Sequence, residues 1–163
     1  MRTLEQRLRE QAEHCRVSGS PLMLALLTGA AEDFRDGGVT QDFLGPHEGD
    51  PSGSVPPLRL AGGLHRLVLE RKAPELALHY PSVGGTAPVD QVWPAAERTL
   101  REHLPELREL VTRPVQTNEV GRSAVLYGGL LHVPGPIRLL ELGPSAGLNL
   151  RCDAFAYDVG TAR

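Results

Sequence analysis

The chain has 163 residues, of which 40% are hydrophobic and 4% are aromatic. This length fits one domain, since domains commonly contain about 100–200 residues, and the hydrophobic fraction is sufficient for a core. The formal net charge of -3 excludes the overall positive field that favours nucleic-acid binding. No apolar run approaches the roughly 20 residues that a membrane span needs. We therefore expect neither a nucleic-acid nor a membrane partner.

The cysteines and the N-terminus indicate a compartment. Cys15 and Cys152 lie far apart, and neither belongs to a C-x-x-C pair. Such isolated cysteines are typical of free thiols in a reducing environment. The first ten residues, MRTLEQRLRE, alternate charges and lack the apolar core of a signal peptide. We therefore expect a cytoplasmic protein.

The histidines are scattered along the sequence and do not have the spacing of zinc ligands, so we expect no metal site.

Apolar residues at helical spacing predict three helices in the first half of the chain. The first covers residues 3–17, and its apolar positions are Leu4, Leu8, Ala12 and Cys15. Ser20 followed by Pro21 is typical of a helix start, and the second helix should run to about Asp33. The third covers residues 58–72. Between the second and third, glycine and proline pairs predict a mobile loop over residues 35–57 that stays outside the core.

A further helical stripe runs through residues 89–111. Its apolar positions are Val92, Trp93, Ala96, Leu100, Leu104 and Leu107. We expect Pro105 to divide this helix in two, because proline is poorly tolerated inside a helix. The segment QTNEVGR then leads into another apolar helix, and Pro134-Gly135-Pro136 forces a turn.

The last part of the chain has a different pattern. Ile137–Leu142 is short, mostly apolar and bounded by turn residues, which predicts a strand, and residues 154–159 alternate with period two. We therefore expect a mainly α protein with a helical region over 1–133. Residues 134–163 should be the first strand-turn-helix of a Rossmann-like α/β domain that ends early.

The stretch LLELGPSAGLNL has the composition of a cofactor-binding loop. Glu141 ends the predicted strand, and Gly143 and Gly147 bracket the turn. In such loops glycines let the backbone approach a ligand, and the next helix offers free N–H groups. Ser145 stands where a middle glycine is usual, although serine adopts positive φ less readily. Asn149, just after the turn, completes the predicted binding residues.

Two other interpretations use the same residues. Gly143–Gly147 is also a literal G-x-S-x-G, the elbow that presents a nucleophilic serine in hydrolases. That mechanism places an acid and then a histidine later in the chain, but no histidine follows His132. Alternatively, Ser145 simply caps a helix that begins near Ala146.

The turn resembles motif I of the Rossmann-like S-adenosylmethionine-dependent methyltransferases, except at Ser145. The stretches HYPSVGG, QTNEVGR and ELGPSAGLNL together resemble the N-terminal half of a bacterial family known as domain of unknown function 2332. The resemblance runs from the first helix to AFAYDVG. It implies a helical N-terminal part that leads into a methyltransferase-like region binding S-adenosylmethionine.

QTNEVGR itself has two interpretations. Thr117 or Asn118 can cap the following helix, with Glu119 placed favourably near its positive end. Alternatively, Asn118, Glu119 and Arg122 line the mouth of the cofactor pocket. Arg122 would then bind a carboxylate such as that of a methionine moiety.

The distance to the next acidic residue limits the Rossmann interpretation. Asp158 is the only candidate for the ribose-binding acid, which usually lies about 20 residues beyond the glycine turn, and it follows too closely for a helix and a strand. We therefore expect a fragment of a methyltransferase-like enzyme, inactive by itself and prone to self-association through exposed apolar surface. The alternative is a non-catalytic helical interaction module.

Overall fold

The computed structural model describes residues 2–113, 115 and 119–158. Over these residues the chain forms eight α-helices and several short 3-10 helices, with no β-strand. The chain divides into two compact units, Met1–Val115 and Gln116–Arg163. The protein is thus mainly helical, as the sequence predicts. None of the described helices combines the length and apolar character that crossing a membrane requires.

The described residues of the first unit form seven α-helices. They are α1 (Leu4–Val17), α2 (Pro21–Arg35), α3 (Val39–Leu44), α4 (Pro56–Leu69), α5 (Pro74–Ala77), α6 (Val92–Glu102) and α7 (Leu104–Leu110). Helix α2 packs against α1, α3, α4 and α6. This position explains its composition, because a helix surrounded by others is apolar on most of its faces.

The core of the first unit comes from the predicted apolar stripes. Its largest fully buried side chains include Leu4, Leu8, Leu26, Leu27, Leu60, Leu64, Leu67, Leu100 and Leu107. Trp93 packs against this core while remaining partly exposed. Each buried leucine contributes roughly 1.5–3 kcal/mol of hydrophobic free energy. Leucine side chains at helical spacing therefore hold the first unit together.

Two helix starts in this unit differ in their capping. The hydroxyl of Thr3 accepts a hydrogen bond from the backbone N–H of Gln6, whose side chain accepts one from the backbone N–H of Thr3. This reciprocal pair is a capping box. Ser20 occupies the N-cap of α2, as predicted, but its side chain makes no capping hydrogen bond. Pro21 instead provides the first turn with a preset φ.

The predicted loop over residues 35–57 contains a short core helix, so the expectation that all of it stays outside the core is wrong; its mobility remains a prediction. Helix α3 lies inside this range, and Val39, Thr40, Phe43 and Leu44 are buried. The carboxylate of Asp33 accepts a hydrogen bond from the backbone N–H of Thr40 at 2.6 Å. Gly38 makes this possible, because a Cβ there would lie 2.0 Å from that carboxylate. The glycines therefore let α2 pass directly into a short capped core helix.

Proline divides the helical stripe of residues 89–111, as expected. Helix α6 ends at Glu102, and α7 begins at Leu104 with Pro105 in its first turn. Proline lacks the N–H that a continuing helix would use, and it fits the first turn, where that group is unpaired anyway.

The second unit contains α8 (Arg122–Leu130) and a 3-10 helix, Leu148–Ala154, which pack together. The predicted strand Ile137–Leu142 is not formed. A strand needs a neighbour to pair with its backbone, and the described residues supply none; Leu140 and Leu142 are 82% and 89% exposed. The alternating segment 154–158 is also not a strand, and residue 159 lies outside the described residues. The Rossmann-like strand-turn-helix is therefore not observed.

The boundary between the two compact units follows Val115, which places α8 with the segment that contains the glycine turn. The domain division at residues 133/134 remains a prediction from the sequence.

Candidate functional site

The turn Gly143–Gly147 has an unusual backbone. Gly143, Ser145 and Gly147 have φ values of 66°, 53° and 70°, all in the left-handed region. The N–H of Gly147 donates a hydrogen bond to the carbonyl of Pro144 at 2.7 Å, which closes a tight turn. Glycine adopts a left-handed φ without steric clash, whereas the Cβ atom of serine makes this conformation less favourable. Ser145 thus adopts the backbone conformation that suits the middle glycine of a cofactor loop.

Two predicted binding residues meet across this turn. The side-chain amide of Asn149 donates a hydrogen bond to Glu141 Oε1 at 3.1 Å. Glu141 precedes the turn and Asn149 follows it, inside the 3-10 helix Leu148–Ala154. The turn therefore brings together two polar side chains that are separated in sequence by the glycine-bracketed segment.

The same two side chains each carry a buried oxygen without a hydrogen-bond partner. These atoms are Glu141 Oε2 and Asn149 Oδ1. Both are acceptors, so the missing partners are donors such as an ammonium, a hydroxyl or an amine. Leaving such an atom unpaired costs about 1–3 kcal/mol, so each case calls for an explanation.

The residues that carry these atoms line a cleft of about 320 Å³. Arg122, Glu141 and Asn149 line it, together with leucine side chains that include Leu126 and Leu139. We call it the polar cleft. Its volume lies at the lower end of the range of about 300–1,000 Å³ that small-molecule pockets occupy. Apolar walls with a few polar groups are typical of such sites.

Arg122 enters this cleft from the first turn of α8. Its guanidinium forms a salt bridge with Glu119, three residues earlier, and both side chains are exposed. An exposed pair of this kind is weak, commonly about 0–1 kcal/mol. Arg122 can therefore exchange Glu119 for a ligand carboxylate at little cost. The predicted site residue Asn118, and the capping role given to Thr117 or Asn118, lie outside the described residues.

The two other interpretations of the turn fare less well. The 3-10 helix that follows the turn begins at Leu148, with Gly147 at its N-cap and no side-chain capping hydrogen bond. The left-handed φ of Ser145 also differs from the extended conformation typical of a capping residue. For the hydrolase elbow, no histidine is found among the described residues that line the polar cleft. Ser145 itself does not line that cleft.

HYPSVGG, in the first unit, has a structural explanation. Tyr80 is buried, and burial raises the pKa of its hydroxyl above the ordinary value of 10. His79 Nδ1 donates a hydrogen bond to the carbonyl of Pro88 at 2.9 Å. A Cβ at Gly85 would lie 2.3 Å from the carbonyl oxygen of Ala77. The motif therefore fixes a close approach between two backbone segments.

Another cleft, in the first unit, has a volume of about 620 Å³ and is lined mainly by charged residues. Several of these groups already have partners within the unit. Arg2 pairs with Glu10 at 2.8 Å, and an Arg7 guanidinium N–H donates to the Asp50 carbonyl. Among the described residues, no group of three His, Cys, Asp or Glu side chains is arranged to hold a metal ion. The polar cleft is therefore a stronger candidate for a binding site than this charged cleft, because Glu141 and Asn149 there carry unpaired acceptors.

The structure therefore defines a class of protein: a helical protein with a glycine-bracketed turn and a small polar cleft. The chain belongs to DUF2332, a family of uncharacterised proteins conserved in bacteria, whose model matches residues 5–163. No curated protein sequence and no solved structure shows a significant match to the chain.

The sequence interpretation did not include the apolar walls of the polar cleft. Leu126 and Leu139 line it, yet their positions in the apolar helix and the apolar run indicate only burial. The signal that was available is their proximity in sequence to Arg122 and Glu141, residues that already had predicted binding roles.

Proposed function

We propose that the turn Gly143–Gly147 is the S-adenosylmethionine-binding loop of a methyltransferase-like protein. The observation that carries this proposal is the pair of buried, unpartnered acceptors, Glu141 Oε2 and Asn149 Oδ1. S-adenosylmethionine has the required donors, an ammonium group and ribose hydroxyls. A ligand that donates to both oxygens would remove the cost of leaving them unpaired.

The charges of the polar cleft suit the amino-acid end of this ligand. Glu141 offers a carboxylate to the ammonium group, and charge-assisted hydrogen bonds are among the stronger ones. Arg122 offers a guanidinium to the carboxylate, with the planar fork that binds carboxylates in a bidentate manner. The zwitterionic methionine moiety therefore matches two opposite charges on the walls of one cleft.

The left-handed backbone supports the same proposal. Positive φ at Gly143, Ser145 and Gly147 turns the chain tightly, which allows main-chain atoms to approach a ligand. The bound cofactor would supply an activated methyl group on its sulfonium. The residues of this chain would hold and orient the cofactor.

Saturation-transfer difference NMR with S-adenosylmethionine tests the proposal, because the method detects weak binding. We expect a ligand signal with the wild-type chain and at least a fivefold smaller one with Glu141→Gln. Glutamine keeps an oxygen that accepts from Asn149, but it replaces the unpaired acceptor with a donor. Glu102→Gln, an exposed change in the first unit, is the matched control and should bind as the wild type does.

Equal signals from the wild type and Glu141→Gln would contradict this function, as would the absence of any signal from folded wild-type protein.

The second candidate function is a helical interaction module. It is favoured by apolar side chains left in solvent in the second unit, where Val125 is 83% exposed and Leu142 is 89% exposed. Large exposed apolar groups often mark association surfaces. This function predicts binding of protein surfaces without any requirement for Glu141 or Asn149.

A further inference from the structure

A second cleft of the same unit adjoins the polar cleft. Its volume is about 530 Å³, and its lining includes Tyr127, Ile137, Leu150, Arg138 and Asp153. We call it the aromatic cleft. Leu139 lines both clefts. A ligand that spans Leu139 would reach both clefts.

The aromatic wall of this cleft is held in place by a second tyrosine. Tyr127 stacks on Tyr157, with ring centroids 5.0 Å apart and an interplanar angle of 9°. The hydroxyl of Tyr157 donates a hydrogen bond to the Cys152 carbonyl at 2.5 Å. The ring of Tyr127 is thus oriented before any ligand arrives, which lowers the entropy lost on binding.

The chemistry of the lining favours a flat ring that carries an amino group. Tyrosine and aliphatic side chains pack well against a planar aromatic ligand, which prefers stacked or edge contacts with another ring. Asp153 contributes a carboxylate, which accepts hydrogen bonds when ionised. A purine with an exocyclic amine meets both conditions, whereas a purine with a carbonyl at that position would face the carboxylate with an acceptor.

We propose that the aromatic cleft is a base subsite for the adenine ring, with Tyr127 packing against the ring and Asp153 accepting from its amino group. This inference rests on the proposed function, since the methionine moiety occupies the polar cleft on the other side of Leu139. The base subsite can be tested separately from the polar cleft, because a ligand that carries the base but lacks the amino-acid end can still bind there.

The test uses ligand fragments with the whole chain. Saturation-transfer difference NMR should detect adenosine through its purine protons and prefer it to inosine by about tenfold, the ratio that one charge-assisted hydrogen bond provides. Asp153→Asn should remove that preference, because an amide can donate to the inosine carbonyl as well as accept from the adenosine amine. Tyr127→Leu should reduce the adenosine signal at least fivefold, and Glu141→Gln should leave it unchanged.

The outcomes separate the two proposals. Binding of S-adenosylmethionine that needs Glu141 but is unchanged by Asp153→Asn and Tyr127→Leu would overturn the base subsite and keep the proposed function. Adenosine binding that needs Tyr127 and distinguishes inosine, without any effect of Glu141→Gln on S-adenosylmethionine, would support the base subsite and remove the proposed function. Absence of adenosine binding to the folded wild type would overturn the base subsite. If Tyr127→Leu fails to fold, Asp153→Asn still tests the base subsite, because Asp153 is exposed and its substitution should not affect folding.

Discussion

Glu141 and Asn149 are joined by a side-chain hydrogen bond of 3.1 Å that spans the turn Gly143–Gly147. Each residue uses one polar atom for this bond and leaves one buried acceptor unpaired. The bond therefore does more than close the turn, because it holds both remaining acceptors in one cleft. A rigid pair of acceptors needs less reorganisation to bind a donor than two independent side chains do.

The capping box at the start of α1 should be measurable in the stability of the protein. Thr3→Ala removes the hydroxyl that accepts from Gln6, and we expect a loss of about 1 kcal/mol in the free energy of unfolding. Ser20→Ala is the matched control, because Ser20 makes no side-chain capping bond. Urea unfolding should give a change within about 0.5 kcal/mol for the control. Equal losses for both variants would contradict the capping assignment.

Gly29 is required by the packing of α2 against α6. A Cβ at this position would lie 2.3 Å from Trp93 Cγ, so Gly29→Ala should lower the free energy of unfolding by about 1–3 kcal/mol. At Gly62, in α4, a Cβ would meet nothing within 4 Å. Gly62→Ala should therefore raise stability by about 0.5–1 kcal/mol, because alanine is the better helix former. Thermal unfolding should show melting temperatures that move in opposite directions.

His65 makes the first unit sensitive to acid. Its ring stacks on Tyr80, its Nε2 lies 2.8 Å from Ser82 Oγ, and burial lowers its pKa below the ordinary value of 6.5. The unfolded chain then takes up a proton at higher pH than the folded chain does. Stability contributed by neutral His65 is therefore complete above pH 6.5 and is lost as pH falls towards the lowered pKa.

The pH effect can be isolated by substitution. Urea midpoints measured at about pH 8 and about pH 5.5 should differ less for His65→Gln than for the wild type. The control His14→Gln changes an exposed histidine of α1 and should keep the wild-type difference. An NMR titration that places the pKa of His65 above 6.5 would contradict this prediction, because His65 would then add stability as the pH falls.

Self-association should depend on the apolar surface of the second unit. Leu142 is 89% exposed, and we expect Leu142→Ser to lower the fraction of dimers and larger species seen by sedimentation velocity. Val17→Ser, an exposed apolar position in α1, is the control and should leave that fraction unchanged. A monomeric wild type at high concentration would remove the self-association prediction.

The sequence predicts long helices well because burial follows periodicity. Leu100 and Leu107 lie on the predicted stripe and are fully buried. Helix α3 was missed because its six residues are too few to show a period, and neighbouring glycines resemble loop composition. Its signal lies in tertiary structure, where Asp33 reaches Thr40.

The second unit shows a different limit. An apolar run such as Ile137–Leu142 can form a strand only beside a pairing partner, which local pattern does not reveal. The sequence places Glu141 and Asn149 on the two sides of the turn, but it does not reveal that their side chains are hydrogen-bonded to each other. The sequence also does not reveal that Ser145 adopts a left-handed φ, because that conformation depends on the surrounding turn.

Chemical-shift mapping on the ¹⁵N-labelled chain tests most directly whether the turn binds S-adenosylmethionine. At millimolar ligand, we predict shifts in the backbone amides of Gly143 and Gly147 and in the side-chain amide of Asn149, while the amides of α2 keep their positions. Unchanged amides throughout Gly143–Asn149 in the folded protein, or shifts confined to the first unit, would contradict the assignment of this turn as the cofactor loop.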